Sequence, residues 1–180
     1  MPAARHRTGV PDVGLFEAFV REYQDMVYAV AVRLLGTPAD AEDVAQTVFL
    51  RAYERFDEIH GHPAVAGWLK TVTTNLCLTH LSRYRSRWQL FSEMPSADDA
   101  PVFDVEAPGE NAADALLRAD TAARLEAAVQ ALPVHQRVPL VLFHFEHHSY
   151  DEIARLLDVS IGKVKTDIHR GRLALRRVLA

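Results

Sequence analysis

Two places in this 180-residue chain hold side chains whose types and spacing suit chemistry. His144, His147 and His148 stand at i, i+3 and i+4 beside Glu146, so that one helical face would gather several nitrogen and oxygen ligands. The order is not the His-Glu-x-x-His of zinc proteases, and no third ligand follows nearby. Metal chemistry and catalysis are therefore set aside, and neither a cofactor nor a small-molecule substrate is expected. The second place is a run of cations and donors, Lys163, Lys165, Thr166, His169, Arg170 and Arg172, which falls outside the apolar positions Val164, Ile168 and Leu175 of one helix. Phosphate oxygens and base edges are what such a face recognises. Asp167, on the same helix, opposes that attraction.

The segment before this helix is built to present it. Ser149 caps a first short helix with Glu152 as its capping-box partner, and Ile153, Ala154, Leu156 and Leu157 give that helix one apolar face. Asp158 falls where the turn needs a residue tolerant of positive φ, and Ser160 caps the second helix. Ser149 to Arg177 thus reads as a helix-turn-helix, with the second helix placed for a major groove. The alternative is an ordinary surface αα-hairpin with a solvated basic face.

Composition limits the remaining possibilities. Nearly half of the residues are hydrophobic, enough for one domain or two small ones, yet no apolar run approaches the roughly 20 residues of a membrane span. A soluble cytoplasmic protein is expected. Cys77 is the single cysteine, which excludes an internal disulfide and a cysteine-based zinc site and leaves a small buried apolar residue. The net charge of −4 conceals a pattern: residues 1–88 carry ten bases and ten acids, 89–130 two bases and nine acids, 131–180 eight bases and five acids. An acidic middle between parts with local basic faces points to separate tasks along one chain.

Helical periodicity runs through both ends. Residues 1–13 lack it and read as a loose tail. Phe16, Phe19, Val20, Tyr23, Val27, Val30, Ala31 and Leu34 define a helix that Gly36 ends. Thr37 then caps a second helix with Pro38 at its first position, Asp40, Glu42 and Asp43 near its start, and Val44, Ala45, Val48, Phe49, Ala52 and Phe56 inward. After a loop with Gly61 and Pro63, a third helix turns Val65, Trp68, Leu69, Val72, Leu76 and Leu81 inward and finishes in Arg83-Tyr84-Arg85-Ser86-Arg87-Trp88. Residues 89–111, with three prolines and many acids, read as a linker. Helical spacing resumes from Ala112 to Leu132, and Pro133 opens a further helix whose internal Pro139 removes a backbone donor. The fold class is all-α: two small helical domains, 14–88 and 112–180, joined by a flexible acidic linker.

In this order and spacing the residues resemble the extracytoplasmic-function (group IV) sigma factors of bacterial RNA polymerase. The first domain does so through Asp40-Ala41-Glu42-Asp43-Val44-Ala45-Gln46, Phe49-Leu50-Arg51-Ala52-Tyr53, and Trp68-Leu69 with Asn75. The second does so through Leu132-Pro133 with Gln136-Arg137, Ser149-Tyr150-Asp151-Glu152-Ile153-Ala154, and Val164-Lys165 with His169-Arg170. The resemblance implies sigma region 2 at 14–88 and sigma region 4 at 112–180. It also implies a function without catalysis: binding core polymerase, directing it to specific promoters and assisting promoter melting. Asp40, Asp43 and Gln46 would meet the beta-prime clamp, and region 4 the beta flap. Lys70, Asn75, Arg83, Tyr84, Arg85 and Arg87 would serve the downstream promoter element, including a base of the melted non-template strand. Trp68, on the apolar stripe, belongs to the core rather than to that platform. Lys165, Thr166, His169 and Arg170 would lie nearest the upstream bases, with Lys163, Arg172 and Arg176 on the backbone. An anti-sigma factor is a further partner in many family members, and in holoenzyme the protein would lie on the nucleoid. A stand-alone helix-turn-helix regulator with an unrelated helical N-terminal domain is the competing reading.

Five positions depart from the family's pattern. Thr47 stands where Glu commonly follows Gln46, Asp158 takes the place of the turn Gly, Asp167 that of a frequent Arg, and His147-His148 that of a Gly-Leu pair.

Overall fold

The computed structural model describes residues 12–82 and 113–179, with the side chains of the second stretch described from 121. The expected tail, linker and arginine-rich end at 83–88 lie outside the described residues, apart from the first residues of α1. Eight helices are present among those described: α1 Val13–Leu35, α2 Pro38–Glu54, α3 Phe56–Ile59, α4 Val65–Ser82, α5 Ala113–Ala131, α6 Val134–His144, α7 Tyr150–Leu157 and α8 Ile161–Leu179. No described residue is in a strand.

Helix α1 starts earlier than its apolar stripe because the Asp12 carboxylate accepts from the Leu15 backbone N–H at 3.1 Å. It ends where Gly36 adopts φ 73°, a conformation that costs glycine little. Pro38 opens α2 as expected, but Thr37 makes no side-chain capping bond, and of the three acids near the start only Asp40 lies in the first turn. The long second helix expected to reach Phe56 is interrupted at Arg55, and the separate turn α3 buries Phe56 and Ile59. Phe56 there meets Phe16 and Phe19 edge-on, with centroids 5.3 and 5.4 Å apart. Edge-to-face pairs of this kind hold the N-terminal unit closed beneath α1.

Helix α4 lies against α1 and α2 with Val65, Leu69, Thr73, Thr74 and Cys77 buried. Trp68 packs against the core partly buried, in keeping with its place on the stripe. The weak helix formers Thr71 and Thr73 are accommodated because their hydroxyls donate to the carbonyls of Gly67 and Leu69 at 2.9 and 2.7 Å. Burial pushes the Cys77 thiol up to about 12, so it stays a neutral apolar group.

In the C-terminal unit α6 is the central element, with Val138, Pro139, Leu140, Val141 and Leu142 buried. Helix α8 crosses it at Gly171, where a Cβ would come within 2.8 Å of Leu140 Cδ1. The two units are not separate bodies. Helix α1 touches α5 and α6 as well as α2 and α4, and one hydrophobic cluster runs from Phe19 to Ile168. Val32 and Leu35, off the expected stripe, are also buried.

Candidate nucleic-acid and polymerase interfaces

The helix-turn-helix forms as its residues require. Ser149 accepts from the Glu152 N–H at 3.3 Å while the Glu152 carboxylate accepts from the Ser149 N–H at 2.8 Å, a complete capping box. The Ser149 backbone N–H and hydroxyl hold the Glu152 carboxyl below its ordinary value. Asp158 takes the left-handed conformation at φ 53° in the turn, and Ser160 accepts from the Lys163 N–H at 3.2 Å to start α8. His147 also adopts φ 58°. Both residues occupy places where the family pattern has Gly, which shows why Gly is suited there.

Helix α8 buries Val164, Asp167, Ile168 and Gly171. Lys165 and Thr166 are exposed, while His169, Arg170 and Arg172 are half-buried. The burial of Asp167 bears on the expectation that, on the same helix, it opposes the attraction of DNA. It is only 4% exposed and accepts from Lys163 Nζ at 2.9 Å, one turn back. Burial lowers the pKa of His135 on α6; Asp167 acts in the opposite sense and Lys163 and Arg170 add to the lowering. Lys163 is thus engaged within the protein. Arg172 is similarly engaged, donating through Nε to His144 Nε2 at 3.0 Å and lying over the Phe143 ring. Lys165 extends from the outer face, with its ammonium 6.0 Å from the Tyr150 ring centroid.

On α2 the outward stripe is Glu42, Asp43, Gln46 and Leu50, all exposed, with Asp40 beside it and half-buried. His80 of α4 stands 3.6 Å from the Asp40 carboxylate, and Thr47 donates to the Asp43 carbonyl at 2.9 Å. Leu50, 61% exposed, is an apolar residue at the end of an acidic stripe. Sequence periodicity alone marks it as surface but gives it no role.

Lys70, Thr71, Thr74 and Asn75 of α4 line a cleft of about 270 Å³ whose opposite wall is Glu146, His148 and Leu156 of the C-terminal unit. Lys70 Nζ lies 3.6 Å from the Glu146 carboxylate. Lys70 and Asn75 are therefore brought together on one face; Arg83, Tyr84, Arg85 and Arg87 lie outside the described residues. Among the described residues no group of three or more His, Cys, Asp or Glu is arranged for a metal ion, and His144 points to Arg172 instead.

Comparison with known proteins decides the family. Residues 19–87 match the model of sigma-70 region 2, and residues 122–175 match that of sigma-70 region 4. The ECF RNA polymerase sigma factor SigW of Bacillus subtilis is 31% identical over 169 residues, which cover 93% of this chain and 90% of that protein. The chain belongs to the extracytoplasmic-function sigma factors of the sigma-70 family. The sigma factor is also 38% identical to SigE of Mycolicibacterium smegmatis, over 92% of this chain and 62% of that protein. The RNA polymerase sigma-H factor of Pseudomonas aeruginosa is 31% identical over 93% of this chain and 88% of its own length. A solved sigma factor, RpoE of Bartonella quintana in complex with the anti-sigma factor NepR, aligns at 21% identity and a TM-score of 0.47, covering 93% of this chain and 98% of that one.

Membership makes the sigma factor an initiation factor of transcription that works with core RNA polymerase and promoter DNA. No helix among its described residues is long and apolar enough to cross a membrane. Sequence reasoning quoted Arg137 beside Gln136 but missed what it does. It is 5% exposed and carries four hydrogen bonds to backbone carbonyls: Nε to Leu34 at 3.3 Å, Nη2 to Leu35 at 2.7 Å, and Nη1 to Gln130 at 2.9 Å and Leu132 at 3.0 Å. An arginine on an otherwise apolar helix face was the available signal.

Proposed function

We propose that the sigma factor reads its promoter with two separate faces and docks on polymerase with a third. Region 4, residues 112–180, would read the upstream element with Lys165, Thr166, His169 and Arg170, while Lys163 and Arg172 stand at the flanks of that face. The observation that carries this reading is the completed helix-turn-helix, whose capping box, left-handed Asp158 turn and Ser160 cap leave Lys165 and Thr166 outward on α8. Side chains at that end of a recognition helix reach base edges when the helix enters a major groove.

Region 2, residues 14–88, would receive the melted non-template strand along Lys70 and Asn75, continued by Arg83, Tyr84, Arg85 and Arg87. A flipped base loses stacking worth a few kcal/mol, which cations and a polar cleft must offset. The α2 stripe of Asp40, Asp43 and Gln46, extended by Leu50, suits a basic helical partner such as the clamp of the polymerase, with the apolar side chain supplying the dry centre of the contact. The beta flap would take region 4. The sigma factor would perform no chemistry itself and would work in the cytoplasm on the nucleoid.

The test is transcription. Purified protein added to bacterial core polymerase on a genomic DNA library should give transcripts whose start sites share two spaced upstream motifs. Duplex binding by the protein alone, without association with core, would replace this reading with a stand-alone regulator.

A further inference from the structure

Of the four side chains assigned to the upstream bases, Lys165, His169 and Arg170 end in nitrogen donors, which suit guanine acceptors or a phosphate. Thr166 is the exception. Its hydroxyl donates to the Gly162 carbonyl one turn back at 2.9 Å, so its proton is already committed within α8. A hydroxyl bonded in this way offers no donor to guanine O6 or N7 or to thymine O4. The bond also fixes the side chain, because threonine in a helix divides between two rotamers according to where Oγ1 bonds. What Thr166 keeps for DNA is a γ-methyl group held in one position and an oxygen able to accept.

The helix leaves open surface beside that methyl. Thr166 is exposed, and a helical side chain leans over the turn that precedes it, here at Gly162, which is exposed as well. Gly162 has no positive φ, and a Cβ added there would meet only Ser160 Oγ, at 4.0 Å. Neither backbone conformation nor packing among the described residues therefore requires glycine at 162, in contrast to Gly171, where Leu140 Cδ1 would lie 2.8 Å away. The neighbouring cations are drawn elsewhere, Lys163 to Asp167 at 2.9 Å and Lys165 towards the Tyr150 ring.

In the major groove the C5-methyl of thymine is the apolar feature that a base edge presents, whereas cytosine offers an amino donor. We propose that Thr166 selects thymine in the upstream promoter element by packing its γ-methyl against the C5-methyl of that base. The assignment rests on the reading of α8 as the upstream reader given above. Unlike the contacts of the cations, a contact between methyl groups favours one base without adding to the salt dependence. Burying one methyl group corresponds to about a fourfold change in affinity.

The experiment replaces each thymine of the upstream element, on both strands, by deoxyuridine, which deletes the C5-methyl and nothing else. Reconstituted holoenzyme is titrated against promoter duplexes recovered from the transcription library. Wild type should lose about fourfold at one thymine, and by the same ratio at about 50 and about 200 mM salt. Thr166→Ser keeps the hydroxyl and lacks the methyl. It should bind the natural duplex about fourfold more weakly and no longer tell thymine from uracil at that position. Thr166→Val keeps the methyl and lacks the hydroxyl, and should still tell them apart. A wild type insensitive to every uracil overturns the proposal. So does a uracil effect that survives in Thr166→Ser, and its loss in Thr166→Val alone names the hydroxyl as the reader instead. Inversion of each base pair, measured beside the uracil scan, separates two failures. If inversion weakens binding and uracil does not, only the methyl contact falls; if neither weakens binding, the reading of α8 as the upstream reader falls with it.

Discussion

Lys163 and Lys165 are two residues apart on the recognition helix, and the structure separates their contributions to DNA affinity. Lys165 is exposed and is paired with no carboxylate among the described residues, whereas the Lys163 ammonium sits 2.9 Å from Asp167, whose side chain is 6% exposed. For Lys163 to reach a phosphate it must leave a buried carboxylate unpaired. Breaking a fully buried pair costs about 3–5 kcal/mol; with Lys163 a quarter exposed, about 2 kcal/mol is the appropriate figure, more than a single phosphate contact returns in salt. Each phosphate contact contributes about 0.9 to the slope of log affinity against log salt. Lys165→Ala in holoenzyme should therefore flatten that slope by about 0.9, so that its loss of affinity relative to wild type shrinks about 3.5-fold between about 50 and about 200 mM salt. Removing the other pair together, Lys163→Met with Asp167→Asn, avoids an orphaned charge and should leave the slope within about 0.2 of wild type. The assay is fluorescence anisotropy of a promoter duplex recovered from the transcription library, titrated with reconstituted holoenzyme at several salt concentrations. Equal flattening by both variants would refute the claim that Asp167 keeps Lys163 from DNA.

Other outcomes follow from single residues. His147 adopts φ 58°, so His147→Gly should stabilise the protein by about 1 kcal/mol, read as a rise of about 3 °C in the thermal midpoint. Ser149→Ala removes one half of the capping box and should cost about 1 kcal/mol in chemical denaturation, with the unfolding slope unchanged. Burial lowers the His135 pKa, so the unfolded chain takes up this proton first as pH falls. The stability His135 contributes is present above its ordinary value of 6.5 and is lost below it; midpoints measured from pH 7.5 to 5.0 should fall less steeply for His135→Gln.

The helix-turn-helix was legible because its instructions are local. Ser149, Glu152, Asp158 and Ser160 act within one turn of themselves, and each does in the structure what its type allows. The end of α1 and the start of α2 were legible for the same reason, through Gly36 and Pro38. The break at Arg55 was not, since the apolar positions continue in phase to Phe56 and only the aromatic contacts with Phe16 and Phe19 draw that residue into a turn of its own. The burial of Asp167 was not legible for a similar reason. Its charge suggests the outer face, and its burial depends on α6, which packs across α8 from a distant part of the chain. The buried Val32 and Leu35 widen the α1 stripe beyond what one partner needs. That excess was visible in the sequence, but without the second unit in view it had no explanation.

Gly36 and Arg137 lie in parts of the chain that match two different family models, sigma-70 region 2 and sigma-70 region 4. The guanidinium nevertheless occupies the space that any side chain at position 36 would fill. The two positions therefore cannot drift independently: a lineage that gains a larger residue at 36 must lose or relocate the arginine, and a region 4 transplanted from a relative without it would arrive with two helix ends left without their cation. Compatibility between the modules is written in that one pair, and a chimaera that folds domain by domain can still fail at the seam.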